Sequence, residues 1–312
     1  MNEFLTYNFI SGFLSGLIRI GTPILIVALG ELISQRSGVI NLGVEGIMLA
    51  GSFSGFYVCF LLNSPWLGVI AALITGGVLG LIMATLSVRF RANQIVAGIG
   101  IWIFCQGIVG FAFRRAFGII FIPPTVEGMV DLPIPLLSRI PLIGEVFFSQ
   151  SILVYFSWVM VPAIYFFLKY TSWGLKLRSV GENPAVAEAA GVNYVLVRHL
   201  AVIFGGAMAG LGGAFLALNV LRFFTDDMIV GLGFMAVAVV FFSRWRPVWI
   251  LLGAFIFAAS SALQFRLQAM KFPLDYHILL MFPYIATVLV LVLFVRGEEE
   301  PGALGTAYEK ER

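Results

Sequence analysis

The sequence predicts an all-α fold: a polytopic membrane helix bundle of about nine transmembrane helices, within bounds of eight to ten. Three observations carry this. Hydrophobic residues make up 60% of the chain and charged residues only 11%, with a mean hydropathy of +1.01. A soluble domain carries about 25% charge. The apolar residues also fall in runs that match the ~20 residues needed to cross a bilayer. The 312 residues leave room for many spans but no large soluble domain, so the chain reads as one transmembrane domain. A net charge of +3 is too small to point to nucleic acid.

The runs, in order, are Leu17–Ile33, Val39–Leu61, Trp66–Val88, Gln94–Phe113, Ile152–Leu168, Leu200–Leu221, Met228–Ser243, Val248–Phe265 and Ile278–Val295. The apolar stretch before Leu17 either lengthens the first span or forms a short interfacial helix. It has no Lys or Arg ahead of its apolar run, unlike a cleaved signal peptide. The seventh run is short and interrupted by Gly231 and Gly233, a pattern found where transporters build their pathways and also in ordinary tilted helices. A further crossing between Arg114 and Gln150 is disfavoured by prolines at 123, 124, 133, 135 and 141. Gly51/Gly55, Gly76/Gly80 and Gly206/Gly210 are small-xxx-small pairs suited to close helix packing. Cys59 and Cys105 lie in apolar segments and read as buried thiols, and no metal-ligand spacing is present.

Basic residues set the expected orientation. One set of loops holds Arg36, Arg89, Arg91, Lys169, Lys176, Arg178, Arg198, Arg244, Arg246, Arg296, Lys310 and Arg312, twelve in all. The opposite set holds six: Arg114, Arg115, Arg139, Arg222, Arg266 and Lys271. The positive-inside rule then places the N-terminus outside and the C-terminal tail, 296–312, in the cytoplasm. Glu298–Glu300 in that tail reads as a solvated end.

Two segments stand out. Glu45 lies about seven residues into an apolar run, at a depth of roughly 10 Å if helical. Asn41 and Ser52 share its helical face. Intramembrane ionisable groups face a bundle interior or an aqueous path. Two roles are open to Glu45: contact with a polar cargo, or a structural role, capping the helix start near Val39 or pairing with Arg36. Glu31 invites the same reading. The second segment is the long cytoplasmic loop 170–199. Asn183 suits a helix N-cap, Pro184 the first helical position and Gly191 the C-terminal stop, with Glu188 exposed between them. A helix of about two turns (183–191) is too short to persist alone, so it either docks under a partner protein or is a plain connection.

The chain carries no G-x-x-x-x-G-K-[ST] phosphate loop, H-E-x-x-H or G-x-S-x-G. It is therefore read as a non-enzyme with no catalytic residue, no metal and no cofactor of its own. The histidines, His199 and His277, sit at span boundaries.

The run Gly38-Val-Ile-Asn-Leu-Gly-Val-Glu-Gly46, with Glu31 and Ser34-Gln-Arg-Ser37 before it, resembles the signature of permease subunits of nucleoside-type ABC importers. Arg91-Ala-Asn-Gln-Ile-Val-Ala-Gly98, Gly174-Leu-Lys-Leu-Arg-Ser-Val-Gly-Glu-Asn-Pro184, Ala189-Ala-Gly191, Gly205–Gly213 and Ser243-Arg-Trp-Arg-Pro247 fit the same pattern, in order, from about 17 to 296. The resemblance implies a subunit of the bacterial cytoplasmic (inner) membrane. It also implies a second, often non-identical permease subunit, a cytoplasmic ABC ATPase that hydrolyses the ATP, and an extracytoplasmic substrate-binding lipoprotein. Glu182, Asn183, Pro184, Glu188 and Gly191 would then belong to the coupling helix. A nucleoside calls for hydrogen-bonding groups beside aromatic faces. The intramembrane supply is Asn41, Glu45, Gln94, Trp102, Gln106, Asn219 and Phe242, each of which also suits helix–helix packing. A simple-sugar permease of the same type, a proton-driven carrier using Glu31 or Glu45, and a membrane enzyme or scaffold are the competing expectations.

Overall fold

The computed structural model of the chain describes residues 7–120, 122–141, 143–270, 275–283, 285, 288–289 and 300–308. Among the described residues, seven helical segments are long and apolar enough to cross a membrane: Phe9–Arg36, Val44–Leu62, Pro65–Arg89, Gln94–Phe117, Ile152–Tyr170, Tyr194–Val220 and Pro247–Ala269. They correspond to seven of the nine expected runs. The expected span Met228–Ser243 is only an 11-residue helix, Leu232–Phe242, entered through an irregular stretch. Half of Ile278–Val295 lies outside the described residues.

In chain order the helices are α1 (Tyr7–Arg36), α2 (Val44–Leu62), α3 (Pro65–Ala84), α4 (Gln94–Phe117), α5 (Ile143–Phe147), α6 (Ile152–Tyr170), α7 (Ser172–Glu182), α8 (Pro184–Ala189), α9 (Tyr194–Phe215), α10 (Leu232–Phe242), α11 (Pro247–Ala269) and α12 (Tyr276–Leu280). The stretch before Leu17 lengthens the first span. Strands β1 (Asp131–Pro133) and β2 (Ser149–Ser151) pair antiparallel in the proline-rich connection, which makes no crossing among the described residues. Single π-helical turns, Thr85–Arg89 and Leu216–Val220, end α3 and α9.

Asparagine side chains start three helices. Asn93 accepts from the N–H groups of Ile95 and Val96 at 3.0 and 3.1 Å, Asn183 from Ala185 and Val186 at 3.1 Å each, and Asn193 from Leu196 at 3.0 Å. Each supplies an acceptor for N–H groups that a helix start leaves without one.

The bundle is built around α9, which packs on α1, α2 and α3. The glycine pairs explain the closeness. A Cβ on Gly76 would collide with the carbonyl of Gly206, and a Cβ on Gly206 with that of Gly76. A Cβ on Gly210 would strike the Ala72 carbonyl, and one on Gly213 the Met48 carbonyl. Here α3 and α2 meet α9 backbone to backbone, as small residues at such crossings permit.

Candidate functional site

Two breaks in helical structure organise the interior. The first joins α1 to α2. Residues 37–43 are irregular, Gly38 has φ of 94°, and the segment is largely buried. Irregular backbone at membrane depth must find its hydrogen bonds inside the protein. Buried side chains supply them here. Ser34 Oγ donates to the Val39 carbonyl at 2.9 Å. Glu31 Oε1 accepts from the Asn41 N–H at 3.0 Å and from Gln35 Nε2 at 3.1 Å. Gln94 Oε1 accepts from the Ile40 N–H at 2.8 Å, and Asn41 Oδ1 from the Gly43 N–H at 3.0 Å. Arg198 Nε donates to the Ser37 carbonyl at 3.0 Å. Arg198, counted with the loop cations from sequence, is a fully buried residue of α9.

The second break is the stretch 221–231 ahead of α10. Phe224, fully buried, anchors it between Phe53 (ring centroids 5.4 Å), Phe56 (6.1 Å) and Phe113 (5.2 Å). Gly231 then turns with φ of 82° into the helix. Glu45 reaches across from the first turn of α2 to this helix start. Its Oε1 accepts from the Gly231 N–H at 2.5 Å, and its Oε2 from Gly233 at 2.7 Å and Phe234 at 3.4 Å. A carboxylate suits the positive end of a helix dipole. A Cβ on Gly233 would lie 2.7 Å from Glu45 Cα, so glycine there lets the two helix starts meet. Glu45 caps α10, neither the start near Val39 nor a pair with Arg36. The Arg36 guanidinium instead donates to the Trp245 carbonyl at 3.0 and 3.2 Å.

The expected pathway residues therefore separate. Asn41, Glu45 and Gln94 are buried and hold the breaks. Phe242 is buried at the other end of α10, stacked on Phe257 at 5.8 Å. Asn219 is half-buried in the π-helical turn ending α9. Trp102 and Gln106, one turn apart on α4, share an open surface. The Trp102 ring meets Phe234 edge-on at 5.4 Å, and Gln106 is exposed midway along the span. One turn further, a Cβ on Gly110 would lie 3.8 Å from Asp226 Oδ2. Asp226 and Phe234 were not anticipated: an aromatic inside an apolar run and an acid beyond a span end carry no local signal.

At the end of the bundle where Arg36 lies, α7 and α8 form a shelf. Gly191 ends α8 with φ of 83°. On α8, Ala185, Val186 and Ala189 face outward, whereas Ala187 is buried. Glu188 is half-buried rather than exposed: its Oε2 accepts from Tyr308 OH at 3.0 Å, because residues 301–308 fold back over the shelf. Ala303 N–H donates to the Gly181 carbonyl at 2.9 Å and Gly305 N–H to that of Gly38 at 3.1 Å, while Arg198 Nη1 donates to the Thr306 carbonyl at 3.3 Å. Of the acidic tail, Glu300 is exposed, and Glu298 and Glu299 lie outside the described residues.

Residues 13–295 match the family described as branched-chain amino acid transport system, permease component. The chain is 34% identical to a putative glucose ABC transporter permease protein, TsgC13, of Haloferax volcanii, over 97% of this chain and 99% of the relative. It is 34% identical to the guanosine ABC transporter permease protein NupQ of Bacillus subtilis, over 92% and 93%. With the nucleoside ABC transporter permease protein NupC of Lactococcus lactis it shares 30%, over 93% and 94%. No solved structure matches. Apolar helices of spanning length, seven among the described residues, and a family match across nearly the whole chain place this protein in the family of multi-pass ABC transport permease components.

Proposed function

We propose that the chain forms one wall of a nucleoside translocation pathway in the bacterial inner membrane, and that a partner ATPase drives it through α8. The observation that carries the pathway is Gln106. It lies in the middle of a 24-residue span and is exposed, beside the Trp102–Phe234 aromatic pair. A polar side chain at that depth belongs against an aqueous path or another protein surface, not lipid. Aromatic faces with a nearby amide suit a base and a ribose. The other half of the pathway is supplied by a second permease subunit packed against this face, and an extracytoplasmic lipoprotein delivers the cargo. The two nucleoside relatives support the substrate class, and the glucose relative favours simple sugar as the second reading. Proton drive through Glu45 has less support, since that carboxylate is committed to backbone N–H groups.

In this reading the end bearing α7, α8 and the loop cations faces the cytoplasm, and the N-terminus faces outside. Binding and hydrolysis of ATP occur in the partner. Motion of α8 reaches the first break through residues 303–306, which bond to Gly181, Gly38 and Arg198.

Two measurements on the transporter reconstituted with its ATPase and binding protein test this. Trp102→Ala with Gln106→Ala is expected to lower guanosine uptake roughly tenfold, in line with about 1–3 kcal/mol of stacking per base, at unchanged thermal stability. Unchanged uptake would remove this surface from the pathway, and glucose uptake in place of guanosine would favour the sugar reading. Val186→Glu, on the outward face of α8, is expected to cut substrate-stimulated ATP hydrolysis by about tenfold or more, as a buried charge at an interface core costs several kcal/mol. Normal stimulation in a correctly inserted variant would exclude α8 as the coupling element.

A further inference from the structure

We infer that the cleft between the ends of α1, α6 and α11 is a binding site for the headgroup of an anionic phospholipid. The cleft has a volume of about 590 Å³, and four cationic side chains line it: Arg36, Lys169, Arg178 and Arg246. Among the described residues, no acidic side chain lines it. Its depth follows from the helices. Arg36 is the last residue of the first span, Lys169 is next to the last of Ile152–Tyr170, and Arg246 immediately precedes Pro247–Ala269. Three spans end at this level, which is where phosphate groups of the bilayer lie.

The lining suits that level in a second way. Tyr165 and Trp249 are exposed aromatics at the rim, 40% and 47% accessible, and Leu168 and Val248 give the cleft an apolar side. Tyrosine and tryptophan concentrate at the membrane–water interface. Two of the cations are also held in place. Lys169 Nζ donates to Tyr165 OH at 3.0 Å and sits 5.4 Å from the Tyr165 and Tyr170 ring centres. Arg36 is fixed by its two bonds to the Trp245 carbonyl. Basic pockets between spans at this level recognise phosphate headgroups. Free phosphate shares the chemistry of the headgroup, but only a lipid also uses the apolar side.

Native mass spectrometry of the full chain in neutral detergent tests the site, with phosphatidylglycerol, phosphatidylcholine and inorganic phosphate as probes. Phosphatidylglycerol is expected to be retained at least tenfold better than phosphatidylcholine. Each neutralised cation should weaken retention about fivefold, so Lys169→Gln with Arg178→Gln should nearly abolish it. Arg89→Gln with Arg91→Gln, elsewhere on the same end, should leave it unchanged. Lys169→Arg with Arg178→Lys, which keeps both charges, should retain the lipid even where the neutral pair is unstable. The inference is overturned by equal retention of both lipids, by an equal loss in the Arg89/Arg91 pair, or by loss in the charge-keeping pair. It is also overturned if millimolar inorganic phosphate displaces the lipid completely, or if the ATPase subunit does so, which would make the cleft a protein interface.

Discussion

Glu45→Ala is expected to destabilise the detergent-solubilised protein by roughly 3–5 kcal/mol, because a buried charged acceptor is removed from three donors. The N–H groups of Gly231, Gly233 and Phe234 all point at this carboxylate. Gly231 is the N-cap residue, and Gly233 and Phe234 lie in the first turn of α10, where N–H groups have no partner within the helix. Glu45→Gln should lose about half as much. It keeps one carbonyl oxygen but turns an NH2 group towards an N–H that needs an acceptor. Thermal unfolding of the three proteins gives the order: wild type, then glutamine, then alanine. An alanine variant as stable as wild type would mean that the carboxylate does not hold the break. Transport should fall with the same order, since the Trp102–Phe234 contact rests on the first turn of α10.

Gly210→Val carries the second large effect, a loss of about 3 kcal/mol or more from overpacking against rigid backbone. A Cβ at this position collides with the Ala72 carbonyl and lies 3.1 Å from Gly76 Cα, and a Cβ on Gly51 would in turn strike Gly210 Cα. Gly210 is thus where α2 and α3 both press on α9. The neighbours are main chain, so no side chain can rotate away. Gly107→Ala is the internal comparison: nothing lies within 4 Å of its Cβ position. It should leave stability unchanged or raise it by up to about 1 kcal/mol through helix propensity. If the two substitutions shift the unfolding midpoint equally, the close crossing does not carry the stability assigned to it.

The helices were legible because bilayer thickness imposes a length on apolar runs, and seven of the expected runs are helices of spanning length. Asn183, Pro184 and Gly191 were legible because capping is a local matter of a few residues. The glycine pairs were legible as packing, though which helices they join was not. The run Met228–Ser243 is longer than its helix because Met228, Ile229 and Val230 are apolar enough to continue one, while Gly231 at positive φ and the anchoring of Phe224 set the helix start at Leu232. The role of Glu45 was hidden for a different reason. Its partners lie 186 to 189 residues further along the chain, and no local pattern encodes such a pairing. Asn41 and Gln94 looked like cargo contacts because polarity at depth has one signature and two uses, and here the use is to satisfy irregular backbone.

The distance between Glu45 and Gly231 also orders the making of the protein. Synthesis adds roughly 5–20 residues per second, so α2 enters the bilayer about ten to forty seconds before its partner exists. Throughout that interval the carboxylate must be satisfied by water, lipid headgroups or the insertion machinery. The bond to α10 therefore closes late, after α9, which packs on α1, α2 and α3, has been synthesised. A chain stopped before residue 231 would hold every glycine crossing of α9 and still carry an open, polar seam beside α2.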